Sequence, residues 1–199
     1  MTVFENIFKW NQIPRAVRQF LLKGAIILVL WKVIYFSFLL PGRVLDAPLT
    51  TAVGIVTTQT LNLITRSSDY SAKSELGRMD DIDLNPVSVP QESVYFKSRK
   101  IVGIYDGCNG LELMMLYAGF IICLPALISR KLVFIIGGII MIFIVNVLRC
   151  VGVAYLLLYY PKQADFAHHY IFAFIVYAFI IALWLWFANG VNIQRDEKK

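Results

Sequence analysis

Charge is scarce in this chain. Asp, Glu, Lys and Arg make up 16% of its 199 residues, against 58% hydrophobic residues. A soluble domain carries roughly a quarter charged residues, so an ordinary soluble enzyme is excluded. Cysteine is scarce as well: Cys108, Cys123 and Cys150 are the three present, and no Cys-x-x-Cys occurs. An odd count without paired spacing excludes a disulfide framework. It also argues against a thiol–disulfide oxidoreductase, which needs a resolving thiol. The two histidines, His168 and His169, are adjacent, and there is no His-Glu-x-x-His motif. Adjacent residues on a helix point in different directions, so no metal site is expected, and no other cofactor is indicated.

What remains is apolar and arranged in long blocks, the pattern of a polytopic membrane protein. The net charge of +6 does not point to nucleic acid as a partner. The basic residues cluster beside apolar segments, where they signal orientation in a lipid bilayer. The expected fold class is all-α: a transmembrane helical bundle of about four spans plus an interfacial helix, with a small extracytoplasmic hairpin. The whole chain, 1–199, reads as one membrane-embedded domain.

The spans are expected at 24–40, 111–128, 132–160 and 170–188, punctuated by Pro41-Gly42, Ser129-Arg130-Lys131, Pro161-Lys162-Gln163 and Asn189-Gly190. Residues 1–23 read as a cytoplasmic amphipathic flank, with Phe4, Ile7, Phe8 and Trp10 among Lys9, Arg15, Arg18 and Lys23. The first apolar run reads as a retained anchor rather than a cleaved signal. Residues 41–107 are expected to form an extracytoplasmic loop. Within it, 47–64 is uncharged but rich in Thr, and reads as an interfacial or partly buried helix. Residues 66–90 read as an exposed loop. Residues 94–96 and 101–105 read as two short strands around Lys97-Ser98-Arg99-Lys100. The positive-inside rule puts the N-terminal flank, Arg130-Lys131 and the basic tail in the cytoplasm, and the loop outside an inner, plasma membrane.

Three polar residues then stand out: Cys108 in Asp106-Gly107-Cys108-Asn109-Gly110, Arg149 in Asn146-Val147-Leu148-Arg149, and His169 in His168-His169. Ionisable groups in or at the mouth of membrane helices are costly and mark functional sites by default. Arg149 lies about 25 Å along the third span, near the outer side of a core about 30 Å thick. Cys108 and His169 start the second and fourth spans at the outer end, so all three share one layer.

The chemistry of the three types is that of a cysteine hydrolase or transpeptidase. A thiol attacks as the thiolate, a form that a helix N-terminus, a guanidinium or an imidazole favours. His169 is placed to take a proton and return it to a leaving amine. Arg149 suits an oxyanion or a carbonyl. Asp165, four residues before His169, is placed to orient the imidazole, and Asn146 to hold Arg149. Glu112 is a candidate partner for Arg149, and also for Lys32 in the first span. Taken singly, each residue has a plainer reading: a boundary thiol, a structural ion-pair partner and an interfacial anchor.

At these residues the chain is similar to the exosortase/archaeosortase family. The motifs are Cys108-Asn109-Gly110, Asn146-Val147-Leu148-Arg149 and the histidine that begins the last helix, in matching order and context over about 94–187. The spacing to Ala173 and Phe174 fits better from His169 than from His168. The resemblance implies an intramembrane cysteine protease/transpeptidase with Cys108 as nucleophile, Arg149 as stabiliser and His169 as general acid/base. Its partners would be tailed membrane proteins with a C-terminal sorting helix, cleaved and transferred to a surface acceptor. The alternative reading is a non-enzymatic membrane scaffold or accessory subunit of surface-polymer export.

Overall fold

The computed structural model describes residues 14–80 and 86–190, without the side chains of residues 16, 78–80, 86, 87 and 169. Most of the amphipathic flank expected over 1–23, and the tail at 195–199, lie outside the described residues.

Helix α1 (Arg15–Ile34) continues through a π-helical turn (Tyr35–Leu39) and ends before Pro41, which cannot extend it. Ile26, Val29, Leu30, Val33 and Phe38 leave it apolar on its exposed faces. Such a helix suits lipid rather than water. Helix α2 (Asp46–Thr65) is different. Its buried residues are Asp46, Thr50, Val53, Gly54, Thr57, Thr58 and Leu61, one helical face that is half polar. Gly54 lets this face approach the Glu92 side chain, which a Cβ there would overlap.

Strands β1 (Tyr70–Asp80), β2 (Pro86–Phe96) and β3 (Arg99–Tyr105) form an antiparallel sheet in that order. Within the stretch expected as an exposed loop, residues 70–80 and 86–90 are therefore strand, and the described sheet has three strands rather than the two of a hairpin. Polar side chains on both strands hide this pairing from a hydrophobicity pattern. Ser93 Oγ donates to Glu75 Oε1 at 2.6 Å, and Ser74 Oγ to Glu92 Oε2 at 2.6 Å. Lys100 Nζ pairs with Glu75 Oε1 at 2.7 Å. Asn62 ties α2 to the sheet, donating to Tyr70 O and accepting from Tyr70 N at 2.9 and 3.0 Å. Pro90 sits in β2 opposite Leu76, one residue past the reach of β3, where a missing N–H costs no ladder bond on that side.

A 3-10 turn (Asp106–Cys108) leads from β3 into α3 (Leu111–Cys123). Then follow α4 (Ile128–Tyr159), α5 (Pro161–Phe166), a π-helical turn (Ala167–Ile171) and α6 (Phe172–Asn189). The break between the second and third expected spans falls at residues 124–127, because Pro125 ends α3. Ser129-Arg130-Lys131 belongs to the first turn of α4 instead. The last helical run begins at Pro161, well before 170.

Among the described residues, three helices are long and apolar enough to cross a membrane: Val17–Leu39, Ile128–Tyr159 and Phe172–Asn189. Helix α3 is apolar but has 13 residues, about 20 Å. Helix α2 is not among the candidate spans. One core cluster, around Tyr117, Ile142, Ile180 and Phe187, joins α3, α4 and α6. A second, around Val53, Val94, Ile104, Val147 and Ala154, joins α2, the sheet and the far half of α4. Lys131 Nζ donates to Ile122 O at 2.8 Å, and Arg130 Nη2 to Phe187 O at 3.1 Å. The C-terminal ends of α3 and α6 are thus held at the N-terminal end of α4, and Cys108 lies at the opposite, sheet-bearing end.

Candidate active site

Cys108 closes the 3-10 turn and is half-buried. Its position is fixed by its neighbours. Gly110 has φ 85, a left-handed conformation open to glycine at little cost. That kink turns the chain into α3, and the Asn146 side chain packs against it. Asn146, 0% exposed, donates from Nδ2 to Cys108 O at 2.9 Å. Asn109, 1% exposed, accepts from Leu111 N at 2.8 Å and so satisfies one free N–H at the start of α3. Its Nδ2 donates to Asp46 Oδ1 at 2.9 Å and to Thr50 Oγ1 at 3.3 Å.

The turn is anchored on its other side through Asp106. Arg43 reaches it with two bonds of 2.7 Å, and Thr50 Oγ1 donates to it at 2.8 Å. Burial pushes the Asp106 carboxyl up, but the Arg43 and Thr50 hydrogen bonds outweigh it and hold it below its ordinary value. The same pairing raises Arg43 further. Tyr35 completes the set, donating to Asp46 Oδ2 at 2.9 Å. One polar network therefore runs from the end of α1 through α2 to the residues on either side of Cys108.

Arg149 comes from α4. Its Nη2 donates to Cys108 Sγ at 3.6 Å, within reach for a sulfur acceptor. Cys108 and Arg149 line a cavity of about 280 Å³ together with Asp165 and His168 from the α5–α6 corner. The rest of its wall is mostly apolar, with Val102, Ile104, Val153 and Leu157. His168 lines this cavity; the side chain of His169 lies outside the described residues. Both histidines lie in the π-helical turn, which changes the helical period just there. Glu112 pairs with Lys32 at 2.6 Å, rather than serving Arg149.

The residues the sequence reading assigned no role are Tyr35, Arg43, Asp46, Thr50, Asp106 and Asn109. Asp106 and Asn109 lie within two residues of the cysteine, and Arg43 and Asp46 are charges at the start of a Thr-rich helix. That proximity is the one signal they carry. Chemically, the cavity offers a thiol with a guanidinium on it, an imidazole, and a carboxylate one turn from that imidazole. These are the groups needed to form and resolve an acyl–sulfur bond.

No curated protein and no solved structure gives a significant match to the chain. The sequence pattern of the transmembrane exosortases matches residues 16–186, which includes every residue named at this site. With that stretch covering most of its length, the chain belongs to the transmembrane exosortase family.

Proposed function

We propose that this membrane-embedded exosortase is a cysteine transpeptidase acting on the C-terminal sorting signals of tailed membrane proteins. The observation that carries the reading is the Arg149 hydrogen bond to the Cys108 sulfur, in a cavity that also holds His168 and Asp165. The sulfur of Cys108 attacks the scissile carbonyl carbon while its proton passes to His168. Arg149 stabilises the oxyanion of the tetrahedral intermediate. Collapse breaks the C–N bond, and the departing amine takes the proton from the imidazolium. The product is a thioester on Cys108. An acceptor nucleophile at the surface then attacks it, giving up a proton to His168 and releasing the thiol.

In the same reading, α1, α3, α4 and α6 cross the plasma membrane. Arg130 and Lys131 then lie at the cytoplasmic face, and the sheet and cavity at the outer face. Helix α2 lies at the outer interface. The substrate's own helix reaches the cavity laterally through the bilayer. The test is cleavage of a co-expressed tailed protein. Cys108→Ala and Cys108→Ser should abolish it while the variants still accumulate in the membrane. Unchanged cleavage by either would favour the scaffold reading instead.

A further inference from the structure

The cavity has a second wall that this mechanism does not use. Val102, Gly103, Ile104 and Tyr105, four consecutive residues of β3, all line it. Side chains alternate between the two faces of a strand. A cavity on one face would meet every second residue, so a cavity lined by four in a row runs along the strand's edge. That edge is open: among the described strands, β3 pairs with β2 alone. Proteins usually guard such edges with charge. Here Arg99 and Lys100 guard the beginning of β3, and residues 101–105 carry no charge. The unguarded half leads, through the turn at Asp106–Cys108, directly to the sulfur.

Resting on the transpeptidase reading, we propose that the substrate is recognised as an added β-strand. An extended peptide segment lies between the edge of β3 and the α4–α5 corner, hydrogen-bonded to the main chain of residues 102–104. Its acyl end is thereby carried past the strand onto Cys108. Open edge groups call for a backbone partner with N–H and C=O at the spacing of another strand, which a peptide has and a lipid chain lacks. Val153, Leu157 and Ala164 on the facing wall then receive the alternate side chains, which must be apolar and of modest size.

The test uses chloromethyl ketones that label Cys108 in the purified full chain, read by mass spectrometry, with the Cys108→Ser variant as blank. An acetyl-Val-Ala-Ala-Ala warhead is compared with versions N-methylated at each single position, with a decanoyl warhead and with iodoacetamide. Strand addition predicts that methylation slows labelling by about tenfold at alternate positions and leaves the positions between them unaffected. Equal rates at all positions, or a decanoyl warhead matching the peptide, would overturn it. Iodoacetamide separates the two claims. Labelling of Cys108 that depends on Arg149 and His168, but without the alternating pattern, removes strand addition and leaves the transpeptidase reading standing. Failure of every reagent to label Cys108 removes both.

Discussion

Helix α4 carries one arginine in its first turn and another about two-thirds of the way along, and the two are used in opposite ways. Arg130 is placed among backbone and aromatic groups. It donates to the carbonyls of Phe187 and Gly190 at the end of α6, and its guanidinium lies 5.5 and 5.3 Å from the ring centres of Phe134 and Phe187. Those carbonyls end a helix, where a cation is favoured by the unpaired C=O groups and by the helix dipole. Arg149 instead points at a sulfur and a cavity. A cation that satisfies helix ends is part of the scaffold. A cation held beside a half-buried thiol, with space left around it, is available to a reacting group. The partner, a helix end for Arg130 and a thiol for Arg149, is what separates a structural charge from a candidate catalytic one.

Substitutions at the two sites should therefore separate activity from stability. The largest effect is expected at the sulfur itself, where Cys108→Ala removes substrate cleavage completely. Next comes Arg149→Ala, which should lower the cleavage rate by about 10²–10³, the range for losing one oxyanion donor. Arg149→Lys should recover little, because an ammonium lacks the planar fork. Neither should change the thermal midpoint as much as Arg130→Ala does. An Arg149 variant that cleaves normally but melts early would make the two arginines alike and break the comparison.

The histidines sharpen it further. His168→Ala should slow cleavage by about 10²–10⁴, the usual contribution of a general acid/base, and His169→Ala should not. The reverse result would move the proton carrier to His169. At the scaffold end, Arg130→Ala should cost about 1–2 kcal/mol in unfolding free energy through its lost carbonyl and ring contacts, with cleavage per folded molecule unchanged.

How much of this was legible from the chain depends on the kind of signal. Apolar blocks announced the membrane helices, and their punctuation put Cys108 and Arg149 at one end. Pro125 is a stronger helix stop than the Arg130-Lys131 pair after it, so the turn between α3 and α4 lies earlier than the charges suggest. Strand β1 and the part of β2 before Val94 are hidden from the sequence pattern because Ser74, Glu75, Glu92 and Ser93 pair across them through polar atoms rather than through an alternating apolar face. The network holding the Cys108 turn was invisible for a different reason: Asp46 and Asn109 are 63 positions apart, and no local pattern links them.

The smallest expected effect lies in β1, which takes no part in lining the cavity. Hydrogen bonds from Lys100, Ser93 and Tyr95 hold the Glu75 carboxyl down from 4.5 to about 2. A carboxyl lowered by folding stabilises the sheet above its unfolded value, and that contribution fades as pH falls from 4.5 towards 2. Thermal melts across that window should show a slightly shallower pH dependence in Glu75→Gln than in the unaltered protein. Identical profiles would remove Glu75 as a source of acid sensitivity.

The central claim is that Cys108 carries the acyl group during transfer. It is tested most directly by incubating the protein with a tailed substrate, quenching in acid, and mapping the adduct by mass spectrometry. The account predicts a hydroxylamine-labile acyl group on Cys108 that disappears when a competent acceptor is added. Cleaved product accumulating with no acyl group ever found on Cys108 would contradict it.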